Sequence, residues 1–442
     1  MMVGMDAVTR WHHLLTEHPV SPEAFFDSVR SSGAIYRDSP LCLHRRPHFV
    51  TGPQIQRTAR ILATFHGLIR KVRAAMLEDG LSGREGSLAH QVDLDPKTLE
   101  LARIEPGYSS AAVLARVDCF TPRGHPWLLE LNGESPAGFA YTDALTDLFK
   151  TDPITDRFKH LTSFSNASAV VRAILQTYQS WQGYDGNAPR VAIVDFEDVP
   201  TAPEFELFVE HFRSAGVDCG VVDPRSLEFD GKVLTHGVAR IDLVYRRLLV
   251  RDILERPDDC RALVDAYRAG AICMVNSLRT CLLHTKTLFA LLHSEAFQQK
   301  LTATERKVIR EHVPYTARLR SEPGPLTPPG LMREVLEHPE NWVLKPSTGH
   351  GGQGIVLGWE ASQETWNNAI AQADQHVVQR RVGEVRLLFP DARDNFELRE
   401  QMVGLDPFII HGRLAGLLCR LSDSALGNVT RGASVVPVFC LP

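Results

Sequence analysis

The sequence is short of lysine and has no long apolar run. Nine of its 48 basic residues are lysines, and the rest are arginines. No stretch approaches the roughly 20 apolar residues that a membrane-spanning helix needs, which argues against a membrane partner. The N-terminal residues lack the apolar core of a secretory signal, so we expect a cytoplasmic protein. Because lysine is scarce, a lysine inside an apolar segment is a candidate for a specific role.

Cysteine pairs and an excess of positive charge are also missing. The eight cysteines are scattered without a C-x-x-C pair, which excludes zinc-finger spacing and argues against a disulfide framework. The formal net charge is −5, so bulk electrostatics does not favour nucleic acid as a partner. With 442 residues, 44 % hydrophobic and 23 % charged, the chain has a globular composition and a length that suits two or three domains.

An acidic β-hairpin is the first pattern that points to chemistry. Two apolar strands, 112–120 and 127–132, flank a turn near Gly124. A turn centred there sets Asp118 opposite Glu130 and Arg116 opposite Asn132, with all four side chains on one face. Two adjacent carboxylates repel unless a cation lies between them, and Mg²⁺ prefers such oxygen ligands. The hairpin therefore predicts a magnesium site, with an exposed hairpin bearing ordinary cross-strand charges as the alternative.

A glycine-rich loop after a strand-ending lysine is the second pattern. Lys345 ends an apolar strand and a second apolar strand follows the loop, whose glycines are Gly349, Gly351, Gly352 and Gly354. Glycines let backbone N–H groups approach phosphates, and the lysine adds a point charge. Neither a P-loop lysine nor protein kinase signatures are present. The pattern predicts a flap over a nucleoside triphosphate, and a flexible hairpin is the alternative.

Two further basic residues lie in apolar segments. Lys286 falls near the start of an apolar helix, 285–295, where a solvent-facing position is an alternative to a role in binding. Arg420 ends an apolar strand that precedes Asn428 and Ser434. A basic residue in that setting could stabilise a transferring phosphoryl group, and a surface strand with a polar turn explains it equally well.

The middle of the chain alternates strands and helices. A strand at 190–196, a helix at 204–215 and strands at 220–223 and 241–248 predict a small α/β layer with parallel pairing. No glycines follow the first strand, which argues against a dinucleotide site. The remaining predictions are helices at 52–79, 141–150, 164–181 and 259–268, an exposed loop at 323–329, and short strands at 341–345, 354–359, 376–382, 407–411 and 413–420.

Together these motifs resemble the ATP-grasp ligases, and more closely the circularly permuted branch that includes the synthetase part of glutathionylspermidine synthase. The R-x-D and E-x-N-x-[DE]-[ST]-P motifs are present as Arg116, Asp118, Glu130, Asn132, Glu134, Ser135 and Pro136. The lysine of an apolar helix is Lys286, the lysine before the glycine loop is Lys345, and the terminal arginine is Arg420. Their order along the chain is that of the permuted branch, and the matches span 116–437.

The resemblance implies an α/β ATP-grasp fold, circularly permuted, with a pre-ATP-grasp substrate domain. It implies three segments: 1–185 with the hairpin, 186–280 as substrate domain, and 281–442 with the nucleotide-binding lid and C-terminal core. It assigns Mg²⁺ to Asp118, Glu130 and Asn132. It assigns the ATP phosphates to Lys286, Lys345 and the glycine loop, and the adenine to Gln379 and Arg380. Arg116 and Arg420 would bind the carboxylate or its acyl-phosphate.

The implied activity is ATP-dependent amide formation from a small-molecule carboxylate and an amine through an acyl-phosphate. The sequence departs from the branch at Asn132-Gly133-Glu134-Ser135-Pro136-Ala137 and in the glycine loop, and it lacks the amidase domain of bifunctional relatives. Glutathione and spermidine are therefore not carried over as substrates. A catalytically silent nucleotide-binding scaffold and a ligase acting on a thiol or carrier protein stay open as alternatives, as does a homodimer.

Overall fold

A computed structural model of the chain describes residues 2–81, 84, 86–92, 94–349 and 352–442. Its α-helices are distributed along the whole chain. They are α1 Met2–Glu17, α2 Pro22–Ser31, α3 Gly52–Glu78, α4 Leu88–Gln91, α5 Pro96–Arg103, α6 Phe139–Lys150, α7 Asn166–Ser180, α8 Ala202–Ser214, α9 Val250–Glu255, α10 Arg261–Arg268, α11 Thr287–His293, α12 Glu295–Gln298, α13 Ala303–His312, α14 Leu331–Glu337 and α15 Gln363–Ala371.

The β-strands form several separate sheets. They are β1 Ile35–Tyr36, β2 Ser39–Pro40, β3 His48–Thr51, β4 Leu114–Phe120, β5 Trp127–Asn132, β6 Val191–Val194, β7 Cys219–Val222, β8 Leu227–Phe229, β9 Leu234–His236, β10 Ala239–Ile241, β11 Leu243–Arg246, β12 Cys273–Val275, β13 Thr316–Leu319, β14 Trp342–Pro346, β15 Val356–Leu357, β16 His376–Arg380, β17 Arg386–Asp391, β18 Glu397–Ile410, β19 Arg413–Ser422, β20 Ser434–Val436 and β21 Val438–Leu441.

The largest sheet joins strands from the two ends of the chain. Its order is β20-β19-β18-β4-β5, and β17 pairs with the first half of β18. The junction is the antiparallel pairing of β18 with β4, in which Phe408 lies opposite Arg116. The hairpin β4–β5 therefore belongs to the same sheet as the C-terminal strands. The chain end is fixed as well, because β21 pairs in parallel with β3.

A smaller antiparallel sheet faces this one. Its order is β13-β16-β14-β15, and helices α14 and α15 cover it. Trp342, Leu344 and Trp366 are completely buried between the sheet and the helices. The glycine-rich segment connects β14 to β15, so it leaves the sheet at the end where Lys345 lies. We call this unit, 316–380, the lid sheet.

The middle of the chain forms a parallel sheet of order β12-β11-β6-β7. All four residues of β6 and of β11 are buried, as expected for central strands with both faces covered. Chain order reverses between β6 and β11, and the carboxyl ends of these strands approach the segment that follows β5. The predicted parallel layer is confirmed, and β8-β9-β10 form a separate small antiparallel meander.

The long helix α3 shows how local sequence sets an element boundary. The side chain of Gln54 accepts a hydrogen bond of 2.8 Å from the backbone N–H of Thr51, the residue before the helix. Pro53 suits the first turn, where a backbone donor would lack a helical partner. Apolar residues at helical spacing, from Ile61 to Met76, are buried.

Most predicted elements are present, and the unpredicted ones include α1, α2 and α5 as well as several elements of the C-terminal third. The strand expected at 407–411 is the end of β18, a strand of 14 residues. Its first four residues, 397–400, are exposed and three of them are charged, so this end lacks the apolar run that marked the other end. The helix expected at 285–295 is shorter, and β17, β13 and α13 were not predicted. Leu326 in the expected exposed loop is buried.

The cysteines and the helices agree with the sequence analysis. Each of the eight cysteines is a free thiol, and all except Cys440 are buried. Among the described residues, no helix combines the length and apolarity required to cross a bilayer. The division of the chain at 185 and 280 stays a prediction.

Candidate active site

The hairpin β4–β5 presents its polar face to a cleft between the large sheet and the lid sheet. Asp118 lies opposite Glu130, and Arg116 lies opposite Asn132, so the predicted register is confirmed. A bulge follows directly after Asp118, where the register shifts. Val117 is buried on the other face, which fixes the orientation of the pleat and keeps the four polar side chains on the cleft side.

Asp118 is surrounded by donors. Its Oδ1 accepts hydrogen bonds from Asn132 Nδ2 at 2.9 Å and from the Arg116 guanidinium at 3.1 Å. Its Oδ2 lies 2.7 Å from a guanidinium nitrogen of Arg420. Burial alone would raise the pKa of Asp118, but Arg420 and Arg116 outweigh it and hold the pKa well below its usual range. Asp118 is therefore a carboxylate at any physiological pH.

Arg420 links the hairpin to a second carboxylate that the sequence analysis missed. Arg420 Nε donates to Asp406 Oδ2 at 2.5 Å, and Asp406 Oδ1 accepts from the backbone N–H of Cys119 at 2.9 Å. Asp406 is completely buried in β18. A single acidic residue inside the apolar segment 402–410 was the signal that could have found it. Asp406 orients Arg420 and ties the bulge of β4 to the neighbouring strand.

Lys286 lies at the start of α11, beside the cleft residue Glu130. Its Nζ is 3.1 Å from Glu130 Oε1 and donates to the carbonyl oxygen of Gly349 at 2.8 Å. Its backbone N–H donates to Ser347 O at 2.9 Å, which attaches the helix start to the lid sheet. The side chain is only 8 % exposed, so the alternative of a solvent-facing lysine is wrong.

Lys345 and Gln379 form a buried pair on neighbouring strands of the lid sheet. Lys345 Nζ donates to Gln379 Oε1 at 2.7 Å. Gln379 Nε2 in turn donates to Thr316 Oγ1 at 3.0 Å and to the carbonyl of Leu129 at 3.2 Å, which spans from the lid sheet to the hairpin. Burial lowers the pKa of Lys345 to about 8, and the nearby Glu130 carboxylate partly opposes this shift.

The described part of the glycine loop adopts conformations that require glycine at two positions. Gly352 and Gly354 have φ angles of 74° and 69°, in the left-handed region. A Cβ on Gly354 would lie 2.7 Å from Cγ of Pro346, so the loop returns close to the end of β14. Gly349 has a φ of 123°. Gly351 lies outside the described residues, so its predicted role is not addressed.

The cleft has an apolar part and a charged part. The apolar lining comes from Phe120, Leu129, Val343, Ile355, Leu357 and Met402. The charged part holds Asp118, Glu130, Lys345 and Arg420. Arg380 lies at the edge, where its guanidinium packs over the Trp342 ring at 4.3 Å and pairs with Glu334. This arrangement suits a ligand with a flat apolar ring and a highly charged tail.

The donor chemistry of the hairpin fits Mg²⁺. Asp118 and Glu130 offer carboxylate oxygens, and the Asn132 amide oxygen adds a neutral one, which are the hard ligands that this ion takes. Both carboxylates line the cleft, and protein cations pair with each of them. Among the described residues, no group of three or more His, Cys, Asp or Glu side chains could hold a metal. A metal here would depend on ligand oxygens for the rest of its coordination.

Comparisons with known proteins agree with this geometry. Residues 121–380 match the family model described as a circularly permuted ATP-grasp. A glutathione synthetase-like effector from Globodera pallida, in its apo form, matches with a TM-score of 0.60 at 11 % identity, over 96 % of this chain and 99 % of that chain. At this identity the match shows the fold alone.

A second solved structure, described as a gamma-glutamylcysteine synthetase from Methylobacillus flagellatus, matches with a TM-score of 0.45 at 12 % identity, over 89 % of each chain. No sequence among the curated proteins matches. The family model covers well over half of the chain, and the strands and lysines described above lie in the order of the permuted branch. The chain belongs to the circularly permuted ATP-grasp family.

Proposed function

We propose that this protein is an ATP- and Mg²⁺-dependent ligase that joins a carboxylate to an amine through an acyl-phosphate. The observation that carries the proposal is the meeting of opposite charges in one cleft. Asp118 and Glu130 of the first third of the chain lie against Lys286 of the middle third and Arg420 of the last third. A triphosphate with its cation is a ligand that needs both signs of charge at close range.

The nucleotide would lie along the cleft with its base in the apolar part. Gln379 and Arg380 stand where β16 leaves the lid sheet, beside Val343 and Leu357. The phosphates would then reach Lys345 and Lys286. In the structure, Lys286 is paired with Glu130, and Lys345 with Gln379. Phosphate oxygens would replace these partners, which is a favourable exchange for a buried ammonium group.

Asp118, Glu130 and Asn132 would hold Mg²⁺, which when bound neutralises charge on the triphosphate oxygens. The protein contributes the fixed positions of these ligands. Arg116 donates to Asp118 and to the carbonyl of Ala137, and Arg420 is held by Asp406. Groups that are already oriented stabilise developing charge without reorganising during the reaction.

The chemistry overcomes the poor leaving group of a carboxylate. A substrate carboxylate oxygen attacks the γ-phosphorus, the bond to the β–γ bridging oxygen breaks, and ADP leaves. The amine nitrogen then attacks the acyl carbon, the bond to the phosphate oxygen breaks, and the nitrogen loses a proton. Arg116 and Arg420 are the residues that we assign to the acyl-phosphate, since both guanidinium groups line the cleft.

ADP release from the full chain, with ATP, Mg²⁺ and pooled carboxylates and amines, tests the proposal. We expect release that depends on both pools, and a product whose mass equals the sum of the two substrates minus water. Thiols in place of amines test the alternative acceptor. Lys345→Met should abolish release, whereas Lys159→Met, an exposed lysine far from the cleft, should not. Calorimetry that detects no ATP binding would contradict the proposal.

A further inference from the structure

A second concave surface lies outside the nucleotide cleft. It has a volume of about 890 Å³ and lies between the start of β5, helix α13 and the segment 380–383 that leaves the lid sheet. Trp127 and Tyr315 form its aromatic walls, and Ile309 of α13 lies between them. We call this surface the α13 groove. The volume is within the usual range for a site that binds a small molecule.

The α13 groove is strongly positive. Its lining includes Arg306, Lys307, Arg310, Arg380 and Arg381. None of the described residues that line the groove is an aspartate or a glutamate. The chain as a whole has a net charge of −5, so this concentration of cations does not follow from composition. A concave surface lined by charge of one sign raises the local concentration of counter-ions.

The cations of α13 have few carboxylate partners. Arg306 donates to the backbone carbonyls of Gln298 and Leu301, which leaves its charge uncompensated. Arg310 has an exposed contact of 3.3 Å with Glu311, and such a pair is weak. Among the described residues, no ion pair involves Lys307. One turn of α13 therefore places three cations beside the groove, with one exposed carboxylate to balance them.

The groove is separate from the nucleotide cleft but shares a wall with it. Arg380 and Val382 line both spaces, while the cleft carboxylates Asp118 and Glu130 line the cleft alone. Arg381 packs over the Trp359 ring at 4.1 Å, and its backbone N–H donates to Asn341 O at 2.8 Å. The segment between the two spaces is thus held in place by both of its arginines.

We infer that the α13 groove binds a small polyanion that carries several phosphoryl or carboxylate groups. Arg306, Lys307 and Arg310 would bind the anionic groups, because guanidinium and ammonium donors satisfy several oxygens at once. Trp127 and Tyr315 would contact the uncharged part of the ligand. The inference does not depend on the proposed ligase activity. Since Arg380 lines both spaces, occupation of the groove should also change the affinity of the cleft for nucleotide.

Titration calorimetry with sodium tripolyphosphate and with citrate tests this inference on the full chain. The titrations are carried out on the Lys345→Met variant, in which phosphate binding in the cleft should be weaker. The heat of binding that remains then reports binding in the groove. In that background we expect at least one of the anions to bind, with an affinity that falls as salt rises. The two probes distinguish a phosphoryl ligand from a polycarboxylate.

The groove is then altered with Lys307→Glu and Arg310→Glu together, in the same background. We expect at least a ten-fold loss of affinity, while Lys159→Glu, an exposed charge reversal elsewhere, leaves affinity unchanged. Equal unfolding midpoints verify that the variants fold, and Lys307→Ala alone replaces the double variant if it does not. Unchanged affinity in the groove variant, or no binding of either anion at low salt, overturns the inference. A polyglutamate peptide that binds more than ten-fold tighter than both probes also overturns it, in favour of an acidic macromolecule.

Discussion

Two clusters of charged residues each include carboxylates from the hairpin or the loop that follows it, and they differ in what surrounds them. The cleft cluster is Asp118, Glu130, Lys286, Lys345 and Arg420. The brace cluster is Glu134, Glu204, Arg246 and Arg247. Four residues of the first cluster line an open cleft and Lys286 pairs with one of them, whereas the second cluster lies in the interior beneath the loop that follows β5.

Backbone groups supply many of the hydrogen-bond partners of the brace cluster. Glu134 accepts from the N–H of Val250 at 2.8 Å, and Arg246 donates to the carbonyls of Asn276 and Ser277. Glu204 accepts from the N–H groups of Gly138 and Ala140, where the loop that follows the hairpin enters α6.

Arg247 completes this set of contacts. It donates to the carbonyl of Pro136 at 3.0 Å, and it pairs with Glu204 at 3.2 Å. The brace cluster therefore fixes the loop to the parallel sheet.

The comparison separates charged residues that can bind a ligand from charged residues that stabilise the fold. In the cleft cluster, Lys286 pairs with Glu130, and Glu130 lines the cleft, so a ligand that enters the cleft can reach this pair. In the brace cluster, backbone groups occupy most of the partner positions, and no space for a ligand is left. Residue types alone do not distinguish the two, since both consist of arginine or lysine with carboxylates.

The largest expected effect is on activity in the cleft cluster. Asp118→Asn should reduce ADP release by about 10²–10³-fold, because it removes one of the two carboxylates that would hold Mg²⁺ at the triphosphate. Arg420 keeps its contact with Asp406, so the fold should be retained. Steady-state kinetics together with thermal unfolding measure both quantities. If Asp118→Asn unfolds the protein and the folded fraction keeps its activity, the cleft cluster has a structural role like that of the brace cluster.

A substitution in the brace cluster should lower the free energy of unfolding. Glu134→Gln leaves the Arg246 guanidinium buried without a carboxylate, which typically costs about 3–5 kcal/mol when a buried pair is broken. Denaturant unfolding at neutral pH measures the change, and Glu210→Gln, at an exposed position of α8, is the matched control. A change below about 1 kcal/mol would mean that the backbone contacts suffice without the ion pair.

Lys345 should make stability depend on pH. Its pKa is about 8 in the folded protein against 10.5 for the free side chain, because burial disfavours the charged form. Between these values the unfolded chain binds more protons, so the free energy of unfolding should rise with pH. The rise relative to Lys345→Met should reach roughly 3 kcal/mol. Urea unfolding of both proteins from pH 8 to pH 10 checks the sign, and a flat difference would contradict it.

The smallest expected effect concerns the glycine loop. Gly354→Ala combines a left-handed φ with a close approach to Pro346, whereas Gly237→Ala has a left-handed φ and open space around it. The first should therefore destabilise the protein by about 1 kcal/mol more than the second. It should also weaken ATP binding, since the loop adjoins Lys345. Unfolding midpoints and nucleotide titrations of the two variants measure the difference, and equal results would argue against a constrained loop.

The sequence predicted the hairpin and its register because alternation and turn position are local properties. Asp118, Glu130 and their strand neighbours needed only the pattern of polar and apolar residues. Lys286 and Lys345 were identified because lysine is rare in this chain and both lie in apolar segments. Asp406 and the contacts of the brace cluster were missed, although Glu134 belongs to a recognised motif, since their partners are distant in sequence. The α13 groove was missed because the helix α13 was not predicted.

The amino-acid sequence by itself determined the chemical groups, the hairpin that presents two carboxylates and the family to which the motifs point. Only the tertiary structure decided which cations meet them. Because β18 pairs with β4 on one side and with β19 on the other, Arg420 of β19 lies 2.7 Å from Asp118, although about 300 residues separate them along the chain. Such long-range pairing depends on which faces are buried together, and no local periodicity encodes it.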